Sequence, residues 1–185
     1  MNINKLVKLK DVTENDLPLL FKWRNQEFIR EVMYNSGIIS WEQHIQWFQG
    51  LKNNDNKTTK IFYFDSVPYG VLNITNIDSK NNSCEWGFYI GNSEAPKGMG
   101  TILGFTSLNY IFREMKIRKI SAEVLDYNIK SIHFHLKLGF TQEGKLREHI
   151  LRNDTYLDIL LYGLFASEWE EKSSNIKTII EGRLI

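Results

Sequence analysis

Alternation of apolar and polar residues marks several strands along this chain. Residues 6–12 alternate at every second position, which is the periodicity of a strand with one buried face. Further strand-like runs, several of them joined by short polar turns, cover 59–65, 69–77, 83–90, 119–125, 140–150 and 155–165. The three runs from 59 to 90 follow one another closely. They predict an antiparallel meander in the middle of the chain.

Apolar residues spaced three and four apart predict helices between these strands. Thr13 is a candidate cap for the first helix, in which Pro18 limits the regularity. Ser40 and Gln43 form a capping-box pattern at the start of the second. The predicted helical segments are 14–25, 41–52, 101–115 and 128–138, and Gly139 ends the last one. A polar tail is expected after 165.

Composition favours one α/β domain. The 185 residues are 42% apolar, enough for one sizeable core, and no linker-like stretch divides them. We therefore expect a single domain over 1–185, with a peripheral tail after about 170. The 23 basic and 22 acidic residues nearly cancel, which argues against nucleic acid as a partner.

No segment is typical of export or of membrane insertion. Residues 1–10 lack an apolar core of signal-peptide length, and no run approaches the roughly 18 apolar residues of a membrane span. A cytoplasmic protein without a membrane partner is expected. Cys84 stands alone within an apolar run, so we expect it to be buried, and no zinc-type spacing predicts a metal site.

A glycine loop separates the strand 83–90 from the helix 101–115. Gly98 and Gly100 lack a Cβ, so an anion can approach the backbone at the positive end of the helix dipole. Lys97 adds a cation. The loop lacks the GxGxxG and GxxxxGK[ST] patterns of dinucleotide and P-loop sites. A diphosphate site and a simple helix cap with a turn both remain open from this pattern alone.

The order of strand, glycine loop, helix and strand, followed by NIKSIHFHLKLGF, resembles the GCN5-related N-acetyltransferase (GNAT) family. The acyl-CoA motif of that family is Q/R-x-x-G-x-G/A, followed later by N-x-x-A/S-x-x-x-Y-x-x-x-G-F. The second part is matched here by Asn128, Ser131, Gly139 and Phe140. Two positions depart from the pattern. Ala95 replaces the usual Gln or Arg, and His135 replaces the usual Tyr.

The resemblance implies an α/β, single-domain GNAT fold, with a mixed, mostly antiparallel sheet and helices on both faces. It also implies acetyl-CoA as co-substrate and no metal. In this family the strand 83–90 separates from the next strand and binds the CoA arm, while the glycine loop binds the pyrophosphate. The implied cofactor-binding residues are Phe88, Tyr89, Ile90, Lys97, Gly98, Met99, Gly100, Thr101 and Asn128.

Three residues are candidates for catalysis. Strand alternation places Glu85, Gly87 and Tyr89 on one face. The resemblance makes Glu85 the candidate base, directly or through water, and Tyr89 a candidate acceptor contact. His135 stands where the family has its general acid, where it would protonate the leaving CoA thiolate. A solvated strand glutamate, ordinary strand packing and a surface helix histidine are the respective alternatives.

The segment KWRNQEFIREVMYNSGIISWEQHIQWF resembles the N-acetyltransferases of pseudaminic-acid biosynthesis. These enzymes acetylate the 4-amino group of a UDP-linked 4-amino-4,6-dideoxy sugar. The resemblance implies a small nucleotide-sugar acceptor and places Arg24 and His44 on the acceptor side. Two alternatives are N-terminal acetylation of a ribosomal or other protein and a non-catalytic acyl-CoA-binding module. A homodimer is left open.

Overall fold

A computed structural model describes residues 3–183. Its strands are β1 (Val7–Asp11), β2 (Thr58–Phe64), β3 (Val67–Asp78), β4 (Ser83–Ile90), β5 (Lys119–Leu125), β6 (Thr141–Arg152) and β7 (Thr155–Phe165). They form one sheet in the order β1-β2-β3-β4-β5-β7-β6. Within this sheet the β4–β5 pair is parallel and the other neighbours are antiparallel. The predicted meander and the mixed, mostly antiparallel sheet are confirmed.

The helices follow the predicted order with two additions. They are α1 (Leu17–Arg24), α2 (Glu27–Arg30), α3 (Trp41–Lys52), α4 (Met99–Asn109), α5 (Ile129–Leu138) and α6 (Ala166–Arg183). The capping box of Ser40 and Gln43 is present, and a turn of π-helix extends α4 to Glu114. α1 begins only at Leu17, because Pro18 is best accommodated in the first turn of a helix. The sequence pattern did not predict α2 or α6.

The polar tail expected after residue 165 is a helix packed on the core. Trp169 is 1% exposed, and Ile176 and Ile180 are also buried. These apolar residues stand seven and four positions apart, so they line one face of α6 while the remaining faces are polar. The described part of the tail therefore packs on the core as far as Ile180. Residues 1, 2, 184 and 185 of the expected domain lie outside the described residues.

Alternate residues of the strands face two separate apolar clusters. Phe62 and Leu72 belong to the larger cluster, which also contains residues of α4, α5 and α6. Ile61 and Val71 face the smaller cluster, which contains Leu20 and Trp23 of α1 and Ile29 of α2. Helices thus cover both faces of the sheet, as predicted. We call the side covered by α1 and α2 the acceptor face, after the role that the sequence analysis expects for these segments.

Strands β4 and β5 separate after a short stretch of pairing. Their paired residues are Ser83 to Glu85 on β4 and Lys119 to Ser121 on β5. Beyond them, β4 stays in register with β3 as far as Ile90, and β5 stays in register with β7 as far as Leu125. A gap therefore opens between 86–90 and 122–125.

The segment that covers the acceptor face is attached to the end of β4. A Cβ on Gly91 would lie 2.2 Å from Cδ2 of Trp23, so the indole packs directly on the glycine backbone. Gln26 Nε2 donates a hydrogen bond to the Gly91 carbonyl at 2.8 Å. Asn25 exchanges two hydrogen bonds with the backbone of Ile39. Residues 23–26 thus anchor the chain before α2 to the end of β4 and to the segment after α2.

Gly91→Ala is expected to lower the free energy of unfolding by about 3 kcal/mol, because the added methyl overlaps the Trp23 ring. Gly87→Ala is the matched control, since a Cβ there meets no atom within 4 Å. Denaturant unfolding of both variants measures the difference. Equal stabilities would contradict the close packing of Trp23 on Gly91.

Candidate active site

The glycine loop presents the N-terminus of α4 to open space. Gly98 is the N-cap residue and has φ +94°, a left-handed conformation that favours glycine. A Cβ on Gly98 would meet no atom within 4 Å, and one on Gly100 would meet only Ile90 Cγ1, at 4.0 Å. The first N–H groups of a helix have no partner inside the helix. The loop therefore has the open backbone and the dipole direction that a diphosphate requires.

A second cation lies near this loop, and the sequence analysis missed it. Lys137 Nζ donates a hydrogen bond to Thr101 Oγ1 at 3.2 Å. Lys137 is on α5, and it reaches the start of α4 because the two helices lie on the same face of the sheet. Lys97 is exposed on the loop itself. A motif search does not detect Lys137, because its position near Thr101 depends on helix packing.

The other predicted CoA-binding residues differ in what their side chains contact. Met99 is buried in the larger cluster, and Phe88 and Ile90 pack against it. Asn128 Oδ1 accepts a hydrogen bond from the Ser131 N–H at 3.1 Å, so Asn128 caps α5. Contacts of these residues with CoA remain predictions.

Arg24 lies on the acceptor face beside Tyr89. Its Nη2 donates a hydrogen bond to the Asn35 carbonyl at 2.7 Å. Its Nη1 is buried and has no hydrogen-bond partner among the residues that the structure describes. Burial lowers the pKa of the Arg24 guanidinium, and nearby Tyr89 acts in the opposite direction. Burial raises the pKa of the Tyr89 hydroxyl, so this phenol is neutral at physiological pH.

Glu85 has two neighbours on the acceptor face that the sequence analysis did not identify. Tyr34, from the loop after α2, donates a hydrogen bond to Glu123 Oε2. Burial, this hydrogen bond and the charges of Glu123 and Glu85 all raise the pKa of Tyr34. Glu85 is paired with Ser121, two residues before Glu123 on β5. Two carboxylates therefore flank the narrow end of the gap.

His44 packs between α1 and α3. It is 3% exposed, its Nε2 is 3.0 Å from the Leu17 carbonyl, and its ring stacks on Trp47. Burial lowers its pKa. The predicted acceptor contact conflicts with this burial, and we assign His44 to packing between the two helices.

His135 is buried beneath the gap between β4 and β5. Only 4% of it is exposed, and its ring stacks on Tyr162 at 5.6 Å between centroids, with Trp86 and Phe140 edge-on. Its Nδ1 lies 2.8 Å from the Ser131 carbonyl, which can only accept, so Nδ1 carries the proton. Burial lowers the pKa of His135 to about 4.

These properties correct the role predicted for His135. The imidazole is neutral near pH 7, and its one proton is engaged with a backbone carbonyl. Both properties conflict with the role of proton donor to the CoA thiolate that we expected from its position in the motif. Neither is it a surface histidine, the alternative reading of the sequence.

Across residues 3–183, no group of three or more His, Cys, Asp and Glu side chains is arranged to hold a metal ion. Cys84 is buried as predicted, and burial raises the pKa of its thiol to about 12. The described helices include none with the length and apolar character needed to cross a membrane.

Comparison with known proteins shows the family and the fold to which this chain is similar. Residues 7–141 match the family model of the Acetyltransferase (GNAT) domain. The chain is 31% identical to acetyltransferase PseH of Campylobacter jejuni over 139 residues, which cover 74% of this chain and 85% of the relative. It is 28% identical to the putative ribosomal N-acetyltransferase YdaF of Bacillus subtilis over 107 residues, 58% of either chain.

A solved structure has the same fold. The spermidine N-acetyltransferase of Vibrio cholerae, crystallised with CoA and spermine, superposes with a TM-score of 0.83. The superposition covers 90% of this chain and 99% of that one, at 20% sequence identity.

Gly100→Val is expected to weaken CoA binding at least tenfold, about 1.4 kcal/mol, because the side chain would occupy the open space in front of the α4 N-terminus. Gly98→Val should do the same where the protein folds, although its φ of +94° strains the substitution. Calorimetric titration with CoA measures the loss. Gly182→Val is the control, a helical glycine whose Cβ also meets no atom within 4 Å. Unchanged affinity in a folded Gly100→Val protein would rule out the loop assignment.

His135 should make the protein sensitive to acid. The folded pKa of about 4 lies below the ordinary value of 6.5, so the unfolded chain binds the proton more readily. The stabilisation is complete above pH 6.5 and falls by about 3 kcal/mol as the pH drops to 4. Unfolding of wild type and His135→Phe at pH 7 and pH 4 measures this loss, which Phe should abolish. His133→Phe controls for replacing an exposed histidine on the same helix. Equal acid sensitivity of wild type and His135→Phe would contradict the burial argument.

Proposed function

The chain belongs to the GNAT acetyltransferase family and is an acetyl-CoA-dependent N-acetyltransferase, and we propose that its acceptor is a nucleotide sugar. The proposed substrate is a UDP-linked 4-amino-4,6-dideoxy-N-acetyl sugar, whose 4-amino group attacks acetyl-CoA directly, without a covalent enzyme intermediate. Similarity to PseH at 31% identity supports this acceptor. The homodimer considered from the sequence also remains a prediction.

The buried, unpartnered Nη1 of Arg24 is the observation that carries the acceptor proposal. A guanidinium with a free N–H on the acceptor face suits a diphosphate, because arginine binds phosphate oxygens in a fork. An acceptor phosphate would supply the partner that this buried donor lacks. The neighbouring Tyr89 hydroxyl is neutral and suits a sugar hydroxyl or carbonyl.

Different residues around the gap suit different parts of the two substrates. The loop 97–101 and Lys137 suit the diphosphate of acetyl-CoA, because open backbone and two cations meet there. Glu85 and Glu123 flank the narrow end and suit the amine, which must lose a proton before it attacks. Tyr34 orients Glu123 through its hydrogen bond. No residue needs to become covalently attached to the acetyl group.

A cationic acceptor such as a polyamine is the second candidate. The observation in its favour is the pair of carboxylates, Glu85 and Glu123, at the narrow end of the gap. Two carboxylates attract an ammonium group of any acceptor, so they do not identify the rest of the molecule. Arg24 on the same face disfavours a polycation and favours an anion.

Release of CoA thiol should be measured with three acceptors: the UDP-4-amino-4,6-dideoxy sugar, spermidine and a peptide with a free N-terminus. The proposal expects kcat/KM for the sugar to exceed the other two at least tenfold. A preference for spermidine or for the peptide would replace the sugar with that class of acceptor.

Arg24→Lys should raise the KM for the UDP-sugar about tenfold and leave the affinity for acetyl-CoA unchanged, because lysine keeps the charge but loses the forked geometry. Arg30→Lys is the matched control. Arg30 anchors the same loop through the carbonyls of Asn25 and Ser36, at 3.1 and 2.8 Å. An equal rise in KM in both variants would indicate a loosened loop and would contradict direct binding by Arg24.

A further inference from the structure

Trp86 carries a buried hydrogen-bond donor that the protein leaves unpaired. The residue is 5% exposed, and within residues 3–183 its indole Nε1 has no hydrogen-bond partner. A buried donor left without an acceptor destabilises the folded protein. By contrast, Nε1 of Trp169, which is 1% exposed, donates to Asn109 Oδ1 at 3.1 Å. The unpaired group points to an acceptor outside the chain.

Trp86 is the first residue of β4 beyond its last pair with β5. Its ring stacks on Phe140, with 5.3 Å between centroids and 10° between planes, and it meets the edge of His135 at 5.8 Å. Phe140 has no acceptor atom. The indole is therefore held by aromatic rings at the narrow end of the gap, and none of the residues 3–183 accepts a hydrogen bond from its N–H.

The length of the CoA arm matches the span of β4 from Ile90, beside the glycine loop, to Trp86. A Cβ on Gly100 would lie 4.0 Å from Ile90 Cγ1, and the four residue steps from Ile90 back to Trp86 span about 14 Å. The arm from the pyrophosphate to the sulfur contains about twelve bonds, which in an extended chain also span about 14 Å. With the pyrophosphate at the loop, the sulfur reaches the level of Trp86.

We propose that the indole N–H of Trp86 donates a hydrogen bond to the sulfur of CoA and stabilises the thiolate as it leaves. The amine nitrogen forms the new C–N bond, the C–S bond breaks, and its electron pair stays on sulfur. The proton lost by the amine passes to Glu85 or Glu123 and finally neutralises the thiolate through water. Trp86 keeps its own proton throughout. The inference rests on the use of acetyl-CoA and is independent of which acceptor is acetylated.

In this role Trp86 stabilises the leaving CoA thiolate, which is part of the function that the sequence pattern assigned to His135. The neutral imidazole has its only N–H engaged with the Ser131 carbonyl, so it offers no proton to sulfur. An indole N–H does not titrate in the physiological range and donates equally at every pH where the protein is folded. Thiolate stabilisation by Trp86 is therefore independent of pH.

The pKa of the thiol of bound CoA tests the proposal without an acceptor and without turnover. Ultraviolet thiolate absorbance of the saturated complex should give a pKa about one unit lower in wild type than in Trp86→Phe, since a hydrogen bond to a charged group favours the ionised form. The spectrum of each protein without CoA is subtracted at every pH, which removes the ionisation of Cys84 and of the tyrosines. Trp169→Phe is the matched control, a buried tryptophan with a satisfied N–H, and should give the wild-type value.

A second measurement uses the unmodified protein. The chain has five tryptophans, and the indole N–H resonance of Trp86 is identified by replacing the other four in turn. It should shift on addition of CoA and shift much less on addition of desulfo-CoA, which lacks the sulfur. Equal shifts with both ligands, or equal thiol pKa values in wild type and Trp86→Phe, would overturn the assignment. Failure of the sugar assay alone leaves both measurements unaffected.

Discussion

The parallel pairing of β4 with β5 ends after Glu85 and Ser121, and the site depends on that ending. Neighbouring strands are rotated by about 20–25° through sheet twist, so strands that follow different partners move apart. Here β4 follows β3 and β5 follows β7. Backbone groups along residues 86–90 therefore face a gap. Such groups require hydrogen-bond partners, and a ligand with amides in its chain can provide them.

Burial has different consequences for the polar side chains around this gap. His44 Nε2 lies close to the Leu17 carbonyl, and His135 Nδ1 lies close to the Ser131 carbonyl. Burial lowers the pKa of both histidines and keeps them neutral. Both rings therefore pack against neighbouring aromatic side chains. Arg24 Nη1 and Trp86 Nε1 are buried and have no hydrogen-bond partner in the described part of the chain. An unsatisfied donor is costly to an isolated chain and useful to one that binds an acceptor there. Whether a buried polar group has a hydrogen-bond partner therefore distinguishes packing residues from candidate ligand contacts more clearly than residue type does.

The two sides of the site are mechanically connected through the end of β4. Trp23 and Gln26 hold Gly91, and the glycine loop begins only a few residues later. On the acceptor face, Arg24 and Arg30 bond to the carbonyls of Asn35 and Ser36. The segment expected to bind the acceptor is thus anchored to the strand expected to bind CoA. Both parts are assembled on one rigid sheet, which favours a fixed geometry between amine and thioester.

The sequence by itself determined the order of strands and helices, the glycine loop and the burial of Cys84, because these features depend on local periodicity, caps and turns. It also identified the GNAT family through spacing that survives in Asn128, Ser131, Gly139 and Phe140. It did not reveal α6, since a helix with one narrow apolar stripe has a polar composition. Nor did it separate His135 as packing from His135 as acid, since the burial of its ring arises only when β4, β7 and α5 meet. Tyr34, Glu123 and Lys137 joined the site only in the tertiary structure, because their positions are set by how distant elements pack.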